Sequence, residues 1–508
     1  MLGAEKIKDL SELSRILAEA RSVGKKIVHC HGVFDLLHIG HIKHFGQAKE
    51  LGDILVVTLT ADPFVNKGPH RPAFSQQLRA ESIAALECVD YVAINHAASA
   101  VPAIEIIRPT FHVKGSEYRE RLKNISSKLL LEQEAVVAHG GELVFTDDVT
   151  FSSSHLINIH INQFSTEVES YLKSFRSPQR ISEIESLFKR CQNLKVLVVG
   201  EIIIDEYRYC DAIGKAGKEP VLVARYSSNE EFPGGTLAIA NHIAGFAKEV
   251  GVLAYLGAEN SREGFIHKHL KKNVTPHYLF CPDRPTITKI RYVEQYLLQK
   301  LFEVYMINDA PLASTQEAEF CDALQKYLQE YDVVVVADYG HSLISEQAVK
   351  ILCEQSRFLA VNTQANAGNR GFHTISRYPR ANYVSISQME LGLEMRSREG
   401  DPQEMVEAVL KRIDCPLFTV TRGRSGILVY DRDTGFSEAP GFTQHVVDRI
   451  GSGDAVLAVT SLAAALGATG EMIAFLGNIA GSEAVKIVGH RSFLDANLLA
   501  RHINSLLK

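Results

Sequence analysis

Short apolar runs alternating with helix-patterned stretches constrain this chain more than any other feature. Lys26–Cys30, Ile54–Leu59, Tyr91–Ile94, Thr110–Lys114 and Glu142–Phe145 read as strands, while Ile42–Leu51, Ser75–Leu86 and Val101–Arg108 carry helical spacing. Parallel strands need a long crossover, usually a helix, so this alternation predicts a parallel α/β sheet. A second series opens at Lys195–Gly200 and continues through Asp332–Ala337, Phe358–Asn362, Tyr383–Ile386 and Leu417–Thr421. A chain of 508 residues exceeds one core. The expected organisation is two doubly wound α/β domains, 1–164 and 193–508. Between them, 165–192 is polar and helix-compatible, contains Ser177-Pro178, and is expected to be a linker.

Composition narrows the function classes. A net charge of −6 gives no general attraction to nucleic acid or to an anionic membrane, so phosphate binding must come from local sites. The eight cysteines are scattered without a Cys-x-x-Cys pair, which predicts reduced thiols instead of zinc or a disulfide framework. Met1–Arg21 is charged and lacks the apolar core of a signal peptide, and no apolar run reaches the length of a membrane span. The expectation is a cytoplasmic enzyme with small-molecule partners.

The stretch His31-Gly32-Val33-Phe34-Asp35-Leu36-Leu37-His38-Ile39-Gly40-His41 lies where the first strand gives way to a helix. Unpaired backbone N–H groups and the helix dipole favour anions at such a junction. His38 and His41 are three residues apart and share a face, and Gly40 leaves room for a phosphate. Two imidazoles aimed at one phosphate can stabilise the charge that grows when its α-phosphorus is attacked.

This His-x-Gly-His stretch resembles the signature of the cytidylyltransferase-like nucleotidyltransferases. They transfer a nucleoside monophosphate from an NTP to a phosphorylated alcohol or sugar and release pyrophosphate. The resemblance implies nucleotide or phosphate contacts at Gly32, Phe34, Gly40, Arg71, Arg79 and the hydroxyl-rich helix start Ser152-Ser153-Ser154. It implies a phosphate-contacting catalytic role for Lys114, at the end of Val113-Lys114-Gly115. An arginine that precedes the serine cluster in several relatives is replaced here by Asp147-Asp148-Val149-Thr150. The wider match is similar to the heptose-phosphate nucleotidyltransferases.

Gly451-Ser452-Gly453-Asp454, followed by the apolar helix Ala455–Leu466, marks a second site. Glycines at a helix start let backbone N–H groups face a transferred phosphoryl group, and Asp454 can accept the proton of an attacking hydroxyl. The pattern resembles that of the ribokinase-like sugar kinases, which have a small β-lid. The resemblance implies nucleotide contacts at Thr421, Gly423, Gly451, Gly453 and Asn478. It implies sugar contacts at Asp205, Gly234, Gly235, Asn241 and Arg291, and Mg²⁺ organised by Glu390. Ala238 and Ser387 stand where relatives often carry asparagine.

The two resemblances together are those of a bifunctional heptose-phosphate kinase/nucleotidyltransferase with its domains in the opposite order. They imply ATP-dependent phosphorylation of a sugar phosphate, nucleotidyl transfer from ATP or CTP to a sugar 1-phosphate, a Mg²⁺ requirement, and a homodimer with Val221–Tyr226 as lid strand. The alternative is a monofunctional nucleotidyltransferase with a degraded, regulatory or dimerising kinase-like domain.

Overall fold

The computed structural model describes residues 3–65, 72–115, 127–146, 164–296, 298–369, 371–443 and 446–507. The chain divides after Ser165 into two compact units.

In the first unit, β1 (Ile27–Gly32), β2 (Ile54–Thr60), β3 (Tyr91–Asn95), β4 (Phe111–Lys114) and β5 (Glu142–Phe145) form one sheet. Its order is β3-β2-β1-β4-β5 and every pairing is parallel. β2 is buried along its whole length because helices cover both faces. Leu13, Leu17 and Ile107 pack with Ile27 on one face, and Phe45, Ala80 and Ile83 with Val28 and Val57 on the other. The strand order reverses at β1, so the carboxyl ends of β1 and β4 flank a topological switch point, where open α/β sheets bind ligands. The helix after β1 begins at Ile39, earlier than the Ile42 expected from apolar spacing, because His38 caps it.

The second unit carries β6 (Lys195–Gly200), β7 (Ile202–Lys215), β8 (Leu222–Gly235), β9 (Glu249–Gly257), β10 (Val274–Cys281), β11 (Ile287–Glu294) and β12 (Gln299–Met306). β13 (Val333–Asp338), β14 (Leu359–Thr363), β15 (Tyr383–Ser387), β16 (Leu417–Thr421), β17 (Ile427–Asp431) and β18 (Gly435–Ala439) follow. The main sheet runs β10-β9-β6-β13-β14-β15-β16-β17-β18, and a four-stranded lid runs β12-β11-β7-β8. The main sheet is parallel up to β16, and β17 and β18 complete it as antiparallel strands.

The stretch 165–192 is helical, in keeping with its pattern, and packs against the second unit. It forms helices Thr166–Phe175 and Pro178–Cys191, the second capped by Ser177, whose Oγ accepts from the Arg180 amide at 3.1 Å. At helical period Val168, Leu172 and Phe175, then Ile184, Leu187 and Phe188, fall on buried faces. Phe175 stacks on Phe475 at 4.2 Å, Phe188 meets Phe246 edge-on at 5.5 Å, and Arg190 donates to the Leu466 carbonyl at 2.9 Å. The polar character of the segment is that of its outer faces.

This packing predicts where the chain can be cut. Fragment 166–508 should be soluble and melt cooperatively, whereas 192–508 should aggregate because it exposes the Phe475 and Phe246 surfaces. Phe175→Ala in 166–508 should cost about 3–5 kcal/mol in denaturant unfolding, as for other buried aromatics. Equal stability of the two fragments would contradict the assignment.

Candidate functional site

In the first unit the structure brings His38 and His41 together at the switch point. His38 is the helix N-cap, and its Nδ1 accepts from the Gly40 amide at 3.1 Å. With Nδ1 an acceptor, the neutral ring carries its proton on Nε2 and offers a donor. The two rings stack with centroids 3.8 Å apart. Phe34, held at φ 48°, is buried and places its ring edge-on to His41 at 5.2 Å. A Cβ at position 32 would lie 2.9 Å from that ring, which is why the strand ends in Gly32. Phe34 therefore supports His41; its side chain is not an open nucleotide surface.

Lys114 ends β4, is buried, and pairs with Glu132 at 2.8 Å. Arg79 departs from the expectation of a phosphate contact. It is buried, and its guanidinium donates to the carbonyls of Val33, Phe74 and Thr60 and to the Asp62 carboxylate. With so many of its donors spent inside the fold, it ties the strand ends together. Arg71 and Ser152, Ser153 and Ser154 lie outside the described residues.

The sequence reading missed a buried histidine cluster behind this site. His29 and His31 both contact the Thr58 hydroxyl at 2.8 Å, and His29 meets His112 at 3.1 Å. The run Lys26–Cys30 reads as a buried strand, which puts His29 inside the fold without naming its partners. Its partners come from β2 and β4, which local pattern does not identify. Burial pushes the pKa of His44 and of His112 down to about 4.

In the second unit, Tyr339 and Gln364, just beyond the carboxyl ends of β13 and β14, both reach Asp454. Asp454 occupies the first turn of helix Ser452–Ala465 and is buried. The backbone amides of Gly453 and Asp454 make no backbone bond among the described residues, and a Cβ on Gly453 would meet nothing within 4 Å. That face is open to a ligand. Gly451, at φ 80°, lies against His490, whose Cε1 would be 2.2 Å from a Cβ there. Thr421, Gly423, Ser452, Gly453 and Asn478 line a cavity of about 600 Å³. Burial raises the Asp454 carboxyl above its ordinary value, opposed chiefly by His490 and by the hydrogen bond from Tyr339.

The lid supplies the other side. Asp205 pairs with Arg291, which also bonds Glu303 at 2.9 Å. Gly234 lets β8 pass directly over Asp205, since a Cβ there would lie 2.0 Å from its Oδ2. Gly235, at φ 56°, caps the helix that follows. Lys289, which the sequence reading did not single out, is buried opposite Asp205 in the lid register. Its Nζ lies 5.0 Å from the Tyr305 ring and 5.9 Å from the Tyr339 ring, and burial lowers its pKa. Strand alternation places Lys289 and Arg291 on one face, so this signal was available.

Two further expectations need correction. Asn241 does not face the sugar site: it is fully buried, donating to the His269 carbonyl and accepting from the Lys271 amide, both at 2.9 Å. Glu390 is a capping carboxylate, accepting from the amides of Ala365 at 2.9 Å and Ser387 at 2.6 Å. Ser387 reciprocates by accepting from the Glu390 amide at 3.2 Å, so serine does the capping work at this position. Among the described residues no three His, Cys, Asp or Glu side chains are grouped as a metal site. Among the described residues no helix is long and apolar enough to cross a membrane.

Residues 193–497 match the model of the pfkB family carbohydrate kinases. The chain belongs to that family. Ahead of its pfkB domain, residues 29–159 match the cytidylyltransferase-like family. Curated relatives named bifunctional protein HldE include that of Geobacter sulfurreducens, 41% identical over 23% of this chain and 24% of the relative. That of Bradyrhizobium diazoefficiens is 24% identical over 61% of this chain and 63% of the relative. The chain thus matches about a quarter of the first of these relatives and under two thirds of the second. Escherichia coli phosphofructokinase-2, solved with fructose-6-phosphate, is 14% identical, covers 62% of this chain and 100% of its own, and superposes with a TM-score of 0.50. It shares the fold of the pfkB unit.

The first unit should be acid-sensitive. His44 and His112 titrate near 4 in the fold against an ordinary 6.5, so the unfolded chain takes up protons first as the pH falls. Stability that is complete above pH 6.5 is then lost toward pH 4, by on the order of a few kcal/mol. Thermal melts of fragment 1–165 should show a steep fall in Tm between pH 6.5 and 4.5; a flat profile would contradict neutral buried imidazoles.

Proposed function

We propose that this chain is a bifunctional enzyme of nucleotide-sugar synthesis. The pfkB unit phosphorylates the anomeric hydroxyl of a sugar phosphate, foremost a heptose phosphate, with ATP. The cytidylyltransferase-like unit joins the nucleoside monophosphate of ATP or CTP to the sugar 1-phosphate and releases pyrophosphate. The observation that carries the kinase half is the place of Asp454, between a nucleotide-sized cavity and the lid cluster of Asp205, Lys289 and Arg291. Tyr339 joins the two sides, its hydroxyl on Asp454 and its ring beneath Lys289. Two buried cations suit a sugar that already bears a phosphate.

In the kinase step Asp205 orients sugar hydroxyls, and Asp454 takes the proton of the hydroxyl as its oxygen bonds the γ-phosphorus. The amides of Gly453 and Asp454 stabilise the charge on the transferred group while ADP leaves. Mg²⁺ bound to the triphosphate neutralises phosphate charge. In the transferase step a phosphate oxygen of the sugar 1-phosphate attacks the α-phosphorus. His38 and His41 donate to its oxygens, and Lys114 draws the phosphates toward β4. Exposed apolar side chains on the lid, among them Leu222, Tyr226, Phe302 and Val304, support a homodimer formed through that sheet.

Single substitutions should separate the two activities. His41→Ala should lower pyrophosphate release from NTP and sugar 1-phosphate by about 10²-fold or more and leave sugar-dependent ADP formation within twofold. Asp454→Asn should abolish ADP formation and spare pyrophosphate release. Wild-type protein that binds ATP yet forms no ADP with any heptose, hexose or pentose phosphate would overturn the kinase half and favour a kinase-like regulatory domain. Full pyrophosphate release by a folded His41→Ala protein would overturn the other half.

A further inference from the structure

The two oxygens of the Asp454 carboxylate are not equivalent. The Tyr339 hydroxyl donates to Oδ1 at 3.1 Å, and the Gln364 side-chain amide donates to the same oxygen at 2.9 Å. Both side-chain hydrogen bonds described for this carboxylate fall on Oδ1 and none on Oδ2. Tyr339 and Gln364 reach Asp454 from separate elements, each one residue beyond the carboxyl end of a parallel strand, β13 and β14.

Each donor is itself fixed. Tyr339 is buried, its amide donates to Glu201 at 3.0 Å, and its carbonyl accepts from Asn366 at 2.6 Å and Asn369 at 2.7 Å. The Gln364 amide donates to the Asp338 carbonyl at 2.9 Å, and its own carbonyl accepts from Asn369 at 2.8 Å. Asn369 thus ties both donor-bearing segments together. A carboxylate held at one oxygen by two anchored donors presents the other in a defined direction.

We infer that Tyr339 and Gln364 are positioning residues of the kinase reaction, which clamp Oδ1 of Asp454 so that Oδ2 receives the proton of the sugar hydroxyl. This rests on the kinase reading above. Two donors on Oδ1 weaken that oxygen as an acceptor and leave the proton to Oδ2. The transfer balances: the hydroxyl O–H bond breaks, the proton joins Oδ2, and the alkoxide electron pair forms the bond to the γ-phosphorus while the bond to ADP breaks. The charged and titratable groups acting on Asp454 include His490, Asp205 of β7, Tyr339, and Glu390 in the first turn of the helix Gln388–Met395. None is altered by replacing Gln364, and replacing Tyr339 alters only the donor itself.

The test is steady-state kinetics of the full chain with MgATP and the heptose phosphate that gives the highest wild-type turnover, across pH. Tyr339→Phe and Gln364→Leu keep shape and remove one donor each. Each should lower kcat about tenfold, the scale of one hydrogen bond to a carboxylate, with KM for ATP within twofold and Tm little changed. Loss of a donor to the carboxylate disfavours its charged form, so the acid limb of kcat should move to higher pH in both variants. A purely structural role would lower Tm without moving that limb. Wild-type kcat and an unmoved limb in both variants would overturn the inference while leaving the kinase reading intact. No wild-type turnover would overturn the kinase reading and this assignment with it.

Discussion

Both units depend on one arrangement: the first turn of a helix set at the carboxyl edge of buried parallel strands. The first four N–H groups of a helix have no partner within it, so they need a cap, water or an anion. In the first unit His38 takes one of these donors for itself by capping Gly40. In the second, the glycines around Ser452 withhold any side chain from Gly453, and the donors stay exposed. The same physics thus gives a histidine-lined site in one unit and an open anion hole in the other.

The rest of each fold holds that edge in place. Arg79 spends its guanidinium on the carbonyls of Val33 and Thr60 at strand ends and of Phe74 before the next helix, and Asn241 spends its amide on the 269–271 turn. Asp448 accepts from Tyr207 and Lys300 of the lid at 2.7 and 2.6 Å and from the Ile450 amide at 3.1 Å, linking the lid to the loop that carries Gly451. These residues bear charge or amide groups of the kind that contact substrates. Burial decides that they act on the protein itself.

The sequence made the parallel strands legible because buried strands are continuous apolar runs. It made Asp454 and the histidine pair legible because their chemistry is local: a glycine turn, a helix start, and residues three apart. What it hid depends on tertiary partners. Arg79 and Asn241 look identical in sequence whether they face a phosphate or a backbone carbonyl. The helical spacing of 166–191 was legible, but its docking was not, because Phe175 and Phe188 meet partners as distant in the chain as Phe475 and Phe246. Lys289, Tyr339 and Gln364 were reachable from strand alternation and from the rule that ligands gather at strand carboxyl ends. His490 carried no local signal, since its place is set by Gly451 and Asp205.

Amide hydrogen exchange tests the open helix start most directly. With the full chain, a non-hydrolysable ATP analogue and Mg²⁺, a peptide covering 451–455 should slow its exchange, because phosphate oxygens would accept from the Gly453 and Asp454 amides. Protection confined to other segments, with this stretch exchanging as in the free protein, would contradict the claim that this helix start holds the phosphates.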